Sequence, residues 1–376
     1  MNLYEGRKRF ISKCFLHNML EGNFMLIDEI TPIAVYNEKK YCQPYISICI
    51  ASYNYGKYLR RGFEAIKRQK FRDFELIYLD DNSKDDSIKI IKEFVINNPE
   101  IRISLYQNSK NEGLLNTKSA LLKLAKGKYI MLCDADDWLA DNCLQVLAKR
   151  AAETEADRII SEVTDIDEKG KAIQIQDFPE KPSKWLWNLN HGVLYKRQIL
   201  LQWDMRILLY PDDVYLSTLF NSRAKSVEWV REPLYYWFVH KESAGRSKKA
   251  KNQRNILEEF EKMLIFIDHI YQEERREKNE IGLLMVKLYY LQIFHEMRKY
   301  SLIKQLFLYK ELQKVMSKHY PQYRDNIFLF KKMKDAPARK YAIRVMRLGV
   351  ILEKMHLMCP ALIGYYLLSK WIIFDQ

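Results

Sequence analysis

The stretch Tyr129-Ile130-Met131-Leu132-Cys133-Asp134-Ala135-Asp136-Asp137 runs five apolar residues into three acids within four positions. The apolar run reads as a buried strand that stops where the acids begin. Three carboxylates this close repel one another unless a cation or a helix N-terminus offsets their charge. Asp134 and Asp136, two apart on a strand-end turn, suit a hard divalent cation such as Mg²⁺ or Mn²⁺. Such ions take oxygen ligands and often share them with phosphates. The same acids also read as a cap for the helical pattern from Asp141 to Ala152, and the residues alone leave both readings open.

Working outward, strand and helix alternate. Tyr45 to Ala51 is a β-branched, buried-strand pattern, and Tyr58, Leu59, Phe63, Ile66 and Gln69 follow at helical spacing. Phe74 to Leu79 is a second strand, stopped by Asp80-Asp81-Asn82-Ser83, where Ser83 is placed to cap a helix with the apolar face Ile88, Ile91, Phe94 and Val95. Ile101 to Tyr106 alternates as a third strand, and Thr117 to Ala125 is helical. This rhythm predicts an α/β fold with a mostly parallel sheet, and ligands bind such sheets beyond the carboxyl ends of the strands. Residues 155–240 mix short strands, aromatic residues and one helix from Val214 to Asn221. Residues 246–376 read as a helical, basic C-terminal region, with Ile256, Phe260, Met263, Leu264 and Ile267 on one helix face and Leu284, Lys287, Leu288, Leu291 and Phe294 on another. The polar run Gly245 to Gln253 marks a boundary. Residues 1–43 carry no clear period and read as an N-terminal extension.

Composition narrows the class. With 48% hydrophobic and 29% charged residues among 376, the chain is globular, not disordered. The six cysteines show no C-x-x-C spacing, so they read as free thiols of a reducing, cytoplasmic compartment, and the N-terminus leads into no apolar run of a secretory signal. The net charge of +14 is concentrated: residues 241–376 hold 27 Lys+Arg against 15 Asp+Glu, a net of +12. A basic appendage suits nucleic acid or an anionic membrane surface. No nucleic-acid motif supports the first. For the second, Arg339 to Met355 puts Lys340, Arg344, Arg347 and Lys354 beside an apolar face of Tyr341, Val345, Leu348, Leu352 and Met355. The uncharged stretch Met355 to Ser369 is only 15 residues long, short of the ~20 that a span needs, so the end of the chain is expected to lie peripherally on the inner face of the cell membrane. The same apolar face would also serve to pack on the catalytic domain.

Other constellations carry chemistry only weakly. Asp80-Asp81-Asn82-Ser83 would hold a base or ribose, or simply turn the chain. Pro211-Asp212-Asp213-Val214 opens a helix, whose dipole favours an ionised carboxylate suited to a general base, although capping explains it equally. His240 closes Tyr235-Tyr236-Trp237-Phe238-Val239-His240, near Ser243, and the other histidines, His191 among them, show no ligand spacing. Phosphate-loop and dinucleotide glycine motifs are absent, which removes kinase and nicotinamide-dehydrogenase readings. A D-x-D after the fourth strand also argues against an aspartyl-nucleophile phosphatase.

The order of these segments is more specific than any one of them. Pro44 to Asn54, Tyr58-Leu59, Gln69, Leu79 to Ser83, Asn111-Glu112-Gly113, Ala125 to Ile130, Asp134 to Asp137, Leu194 to Arg197, Asp212-Asp213 and Leu234-Tyr235-Tyr236 together resemble a family 2 glycosyltransferase over residues 44–245. The resemblance implies a Rossmann-like, A-type glycosyltransferase domain, with the helical region following it. It implies inverting, metal-dependent (Mn or Mg) transfer of a hexosyl group from a nucleotide sugar, a UDP-sugar in this reading. The acceptor would be a hydroxyl of a glycan or lipid-linked saccharide, in surface polysaccharide or glycoconjugate biosynthesis. It further implies that Ser52 and Tyr53 line the nucleotide pocket, Asp81 meets the base and Lys118 lies near the diphosphate. Asp134, with Ala135, would bind the nucleotide sugar, while Asp134, Asp136 and His240 would hold the metal. Asp213 would be the catalytic base. The chain departs from the family pattern in Asp212 for the usual Glu, and in Ser119 and Leu121 for the usual Asn and Gly. The Q-x-x-R-W motif of processive synthases is absent, which implies non-processive transfer. The rival reading is a catalytically inactive module of the same fold that holds a sugar nucleotide or glycan.

Overall fold

The structure, a computed structural model, describes residues 30–37, 43–200, 212–240, 255–273, 277–332 and 335–374. In chain order the first half runs β1 (Ile33–Asn37), β2 (Ile46–Ser52), α1 (Gly56–Lys67), β3 (Phe74–Asp80), α2 (Ser87–Asn97), β4 (Arg102–Gln107), α3 (Leu114–Leu124), β5 (Tyr129–Asp134), β6 (Trp138–Leu139) and α4 (Cys143–Thr154). Then come β7 (Arg158–Ile166), β8 (Ala172–Gln176), β9 (Val193–Lys196), α5 (Arg197–Leu200), α6 (Asp212–Asn221) and β10 (Val227–Phe238). Five helices follow: α7 (Ile256–Glu273), α8 (Lys278–Phe294), α9 (Leu302–His319), α10 (Lys340–Lys354) and α11 (Met358–Phe374).

The strands build one sheet in the order β1-β4-β3-β2-β5-β9-β7-β10-β6, with β8 on β7. Strands β4, β3, β2 and β5 are parallel, as the alternating pattern predicts. Antiparallel β9 then separates β5 from β7. The period of two divides β2: Ile46, Ile48 and Ile50 enter a core with Leu59 and Phe63 of α1, while Cys49 packs on the other side with Leu121 and Leu122 of α3. Gly127 sits where β5 begins against β2. A Cβ there would lie 2.5 Å from the Ser47 nitrogen, and its N–H donates to Ser47 Oγ at 2.7 Å.

Several local expectations shift. The extension contributes β1, which pairs antiparallel with the edge strand β4. Ser83 does not cap α2: that position belongs to Asp86, and Ser83 Oγ accepts from the Asn54 N–H at 2.8 Å. The strands of 155–240 are not all short, since β7 has nine residues, all buried, and β10 has twelve. The acids after β5 do not cap α4, which starts at Cys143 behind Asn142. The linker Gly245 to Gln253 and Ser243 lie outside the described residues.

The helices beyond 255 do not stand apart. Ile256, Phe260, Met263, Leu264 and Ile267 share one core with Trp185, Val214, Tyr215 and Leu219. Lys287 of α8 donates to the Leu186 carbonyl at 3.0 Å and to Asn188 Oδ1 at 2.8 Å. Burial, with Arg339 nearby, pushes its ammonium down to about 8. Thus α8 props the segment that leads into the site, residues 185–191. No described helix is long and apolar enough to cross a membrane.

Candidate active site

Asp134 ends β5 and Asp80 ends β3, two neighbours of β2 in the parallel sheet, so both acids reach the carboxyl edge where such sheets take ligands. After Asp134 the chain turns, with the Asp137 N–H on the Asp134 carbonyl at 3.2 Å, and pairs as β6 against β10. That turn spreads the three acids to different partners.

Asp134 lies between two cations. Lys118 Nζ, from α3, stands 3.5 Å from Oδ1, and His191 Nε2 stands 3.2 Å from Oδ2. Burial opposes its ionisation, but the Lys118 charge and the His191 hydrogen bond outweigh it and hold the carboxyl well below the usual range. Asp137 is buried, accepting from Tyr235 Oη at 2.7 Å and from the Phe238 N–H at 2.8 Å. Burial, and the neighbouring charges of Asp136 and Asp134, push its carboxyl well up despite His191. Asp136 meets His240 Nε2 at 2.7 Å, and burial and the Asp134 charge raise its carboxyl. His240 is itself held by Tyr58 Oη at 3.2 Å from Nδ1. Arg61 lies over Trp138 and Phe238, 3.7 and 4.1 Å from the ring centroids, and donates to the Asp136 carbonyl at 3.1 Å.

His191 is the residue the sequence reading passed over. It stacks between Tyr235 and Trp237 at 5.2 and 5.3 Å, and its Nε2 also lies 3.9 Å from Asp137 Oδ2. Burial lowers its basicity, but hydrogen bonding to Asp134 and the charges of Asp134, Asp137 and Asp213 raise it to about 9. Gly192 follows with φ +65 and faces Ser161 so closely that a Cβ would collide with Oγ, so the turn that delivers His191 requires glycine.

Asp213 stands in the first turn of α6 and accepts from Asn190 Nδ2 at 2.6 Å. Asn190 Oδ1 accepts from the Tyr195 hydroxyl, which accepts from Arg158 Nη2 at 3.3 Å. Arg158 is fully buried and also donates to the Trp187 carbonyl at 3.2 Å and Asn221 Oδ1 at 3.2 Å. Asn190 and Arg158 were not singled out from sequence, and Tyr195 entered there only as part of the Leu194–Arg197 motif.

The residues expected to receive the nucleotide lie along the same edge. Ser52 is buried at the end of β2, its carbonyl accepting from the Asp81 N–H at 2.8 Å, and Tyr53 beside it is 41% exposed. Asp81 is buried and accepts from Asn108 Nδ2, the Glu112 N–H and the Gly113 N–H, each at 2.8 Å, so its carboxylate also fastens the loop before α3. Ala135 is buried between the acids.

One oxygen or nitrogen from each of Asp134, Asp137 and His191 lies within 4.8 Å of the others. Carboxylate oxygens with an imidazole nitrogen fit Mn²⁺ or Mg²⁺. Asp136 and His240 offer the same donor types on the other side of the turn. Asp212 is described in its backbone only.

A model of Glycosyl transferase family 2 matches residues 47–207. The glycosyltransferase GlyG of Streptococcus pneumoniae is 34% identical over 123 residues, 33% of this chain and 40% of that protein. EpsH of Bacillus subtilis is 26% identical over 259 residues, 62% of this chain and 73% of that protein. The chondroitin synthase of Escherichia coli is 33% identical over 103 residues, 27% of this chain and 15% of that protein. This chain therefore spans less than half the length of GlyG and of the chondroitin synthase. Among solved structures, S. aureus TarS 1-349 in complex with UDP-GlcNAc superposes with a TM-score of 0.62 at 14% identity, covering 83% of this chain and 92% of that one. The fold is thus that of TarS, a mostly parallel sheet with helices after it, and residues 47–207, which span β2, β5 and His191, match glycosyl transferase family 2.

Proposed function

We propose that the chain transfers a hexosyl group from a UDP-sugar to an acceptor hydroxyl, inverting the anomeric centre in one displacement. The acceptor is a glycan or a lipid-linked saccharide, and transfer is non-processive. The observation that carries this reading is Asp134, ionised between Lys118 and His191 at the carboxyl end of β5, with Asp213 close enough to His191 to act on its charge. The free Cys49, Cys133, Cys143 and Cys359 favour a cytoplasmic setting.

The residues divide the work. Ser52, Tyr53 and Asp81 receive the nucleoside, and Lys118 is the cation placed for the diphosphate. Asp134 and Asp136 would hold the divalent ion, with His240 or His191. When bound, that ion offsets the charge gathering on the departing nucleoside diphosphate. Asp213, at a helix N-terminus that favours negative charge, takes the proton of the acceptor hydroxyl as its oxygen attacks the anomeric carbon. The Asn190 amide holds one Asp213 oxygen at 2.6 Å and so fixes the direction of the carboxylate.

The test is a thermal-shift screen of nucleotide sugars with Mn²⁺, followed by NMR of the product. A ligand of the native state raises stability by mass action, so the donor identifies itself. A UDP-sugar should give the largest shift, and an α-linked donor should yield a β-linked product. A retained α linkage would remove Asp213 from its role, and transfer unaffected by chelation would remove the cation.

A further inference from the structure

The C-terminal helices carry a surface that the reaction does not use. α10 buries Ile343, Met346, Val350 and Glu353. Its opposite side is apolar as well: Tyr341 is 79% exposed, Leu348 53%, Ile351 51% and Met355 60%. With 3.6 residues per turn these four fall within about a quarter of the helix circumference. Arg344 projects from that arc, and Lys340, Arg347 and Lys354 follow one border of it. α11 adds exposed Ile363, Tyr365 and Leu367. A packed helix gains nothing from a second apolar stripe in water, and such patches mark interaction sites.

Charge selects the occupant. Between 340 and 367 the single acid is Glu353. Its carboxylate is spent inside, accepting from Tyr289, Tyr323 and Arg324. Lys354 is balanced by Asp325 of a neighbouring segment, its Nζ 2.8 Å from Oδ1, but no acid of α10 or α11 between 340 and 367 faces outward beside Lys340 and Arg344, so the outward face is net cationic. A second copy docked through the same face would set like charges against each other. A bilayer with anionic headgroups offers both an apolar layer and negative charge. α11 has 17 residues, about 25 Å at 1.5 Å each, less than the ~30 Å hydrocarbon core.

We propose that the α10–α11 face docks on an anionic lipid surface. Tyr341, Leu348, Ile351 and Met355 enter the boundary between headgroups and chains, and Lys340 and Arg344 meet the headgroups. The proposal does not depend on which sugar is transferred or whether any is.

The full chain is co-sedimented with vesicles of phosphatidylcholine alone and with 30% phosphatidylserine, without donor or acceptor. Binding is expected only with phosphatidylserine and should fall with salt. Lys340→Gln and Arg344→Gln should each weaken it about five-fold, and together about 25-fold. Leu348→Asn with Ile351→Asn should weaken it comparably while leaving the circular-dichroism melt unchanged, because both side chains are exposed. Absence of binding, equal binding to neutral vesicles, or indifference to both sets of substitutions overturns the proposal. So does concentration-dependent self-association of the native chain that Leu348→Asn abolishes, which would assign the face to a second copy. Vesicle binding is read apart from turnover, so its failure leaves the glycosyltransferase reading untouched.

Discussion

Asn190 donates from Nδ2 to Asp213 Oδ1 across 2.6 Å, and its Oδ1 is held by the Tyr195 hydroxyl. The amide cannot turn over without facing its NH₂ toward that hydroxyl and its oxygen toward a carboxylate. Arg158 fixes Tyr195 in turn. A buried arginine thus sets the orientation of the candidate base through two side chains, one on β9 and one just before it.

Asp213→Asn should keep the fold and donor affinity while kcat falls by roughly 10²–10⁴, the usual scale of general acid–base catalysis. Asn190→Ala should lower kcat by about ten-fold with the donor KM little changed, because the base is then present but loosely aimed. Steady-state kinetics of both variants checks the pair. Near-native turnover in Asp213→Asn would move the base elsewhere, with Asp212 the first candidate.

The acids after β5 should separate by role. Asp137 has both oxygens engaged by β10, whereas Asp136 Oδ2 meets the His240 ring at 2.7 Å. Asp136→Ala and His240→Gln should therefore lose most of the Mn²⁺-dependent affinity for UDP in calorimetry. Asp137→Ala should act on stability instead, by on the order of 2–3 kcal/mol, since it strands a buried hydroxyl and an N–H. If His191→Gln removes the Mn²⁺ dependence and His240→Gln does not, the ion lies among Asp134, Asp137 and His191.

What was legible in the sequence was local. The run from β2 to β5 announces itself because each strand is a short apolar burst and each helix repeats its apolar face, and the acids are legible because they end a strand. His191 was not, because its meeting with Asp134 depends on β9 inserting antiparallel between β5 and β7, a pairing across 57 positions that no spacing encodes. β7 hid its length by burying polar residues: Glu162 accepts from the Phe178 N–H, and Asp165 from the side chains of Gln174 and Gln176. Those partners sit on other segments, so the strand shows no alternation. β1 escaped notice because an edge strand is held by backbone bonds that need no pattern.

Gly127 gives a stability test of the sheet alone. Its place between Ser47 and Tyr129 leaves a Cβ 2.5 Å from one backbone nitrogen and 2.7 Å from a backbone carbonyl. Backbone atoms of β2 and β5 cannot step aside as a side chain would, so Gly127→Ala should cost about 3 kcal/mol or more in denaturant unfolding. A loss within ~0.5 kcal/mol would mean that the two strands part more easily than their ladder implies.

Lys287 links the helical region to the site through a titration. Its ammonium, pushed down from an ordinary 10.5 to about 8 by burial, binds its proton more weakly folded than unfolded. The sign follows: between pH 8 and 10.5 the unfolded chain holds more of this proton, so stability rises with pH across that window, and the penalty is fully present below it. Lys287→Met removes the titration but also the bonds to Leu186 and Asn188. The stability of the native chain relative to Lys287→Met should therefore climb by on the order of 2 kcal/mol from pH 7.5 to 10.5, a figure reduced for partial access of water. Urea unfolding of both proteins at several pH values reads that difference directly, since the tyrosines that ionise near pH 10 are common to both. A flat difference would mean that Lys287 stays protonated in the fold, with water reaching Nζ beside the Leu186 carbonyl.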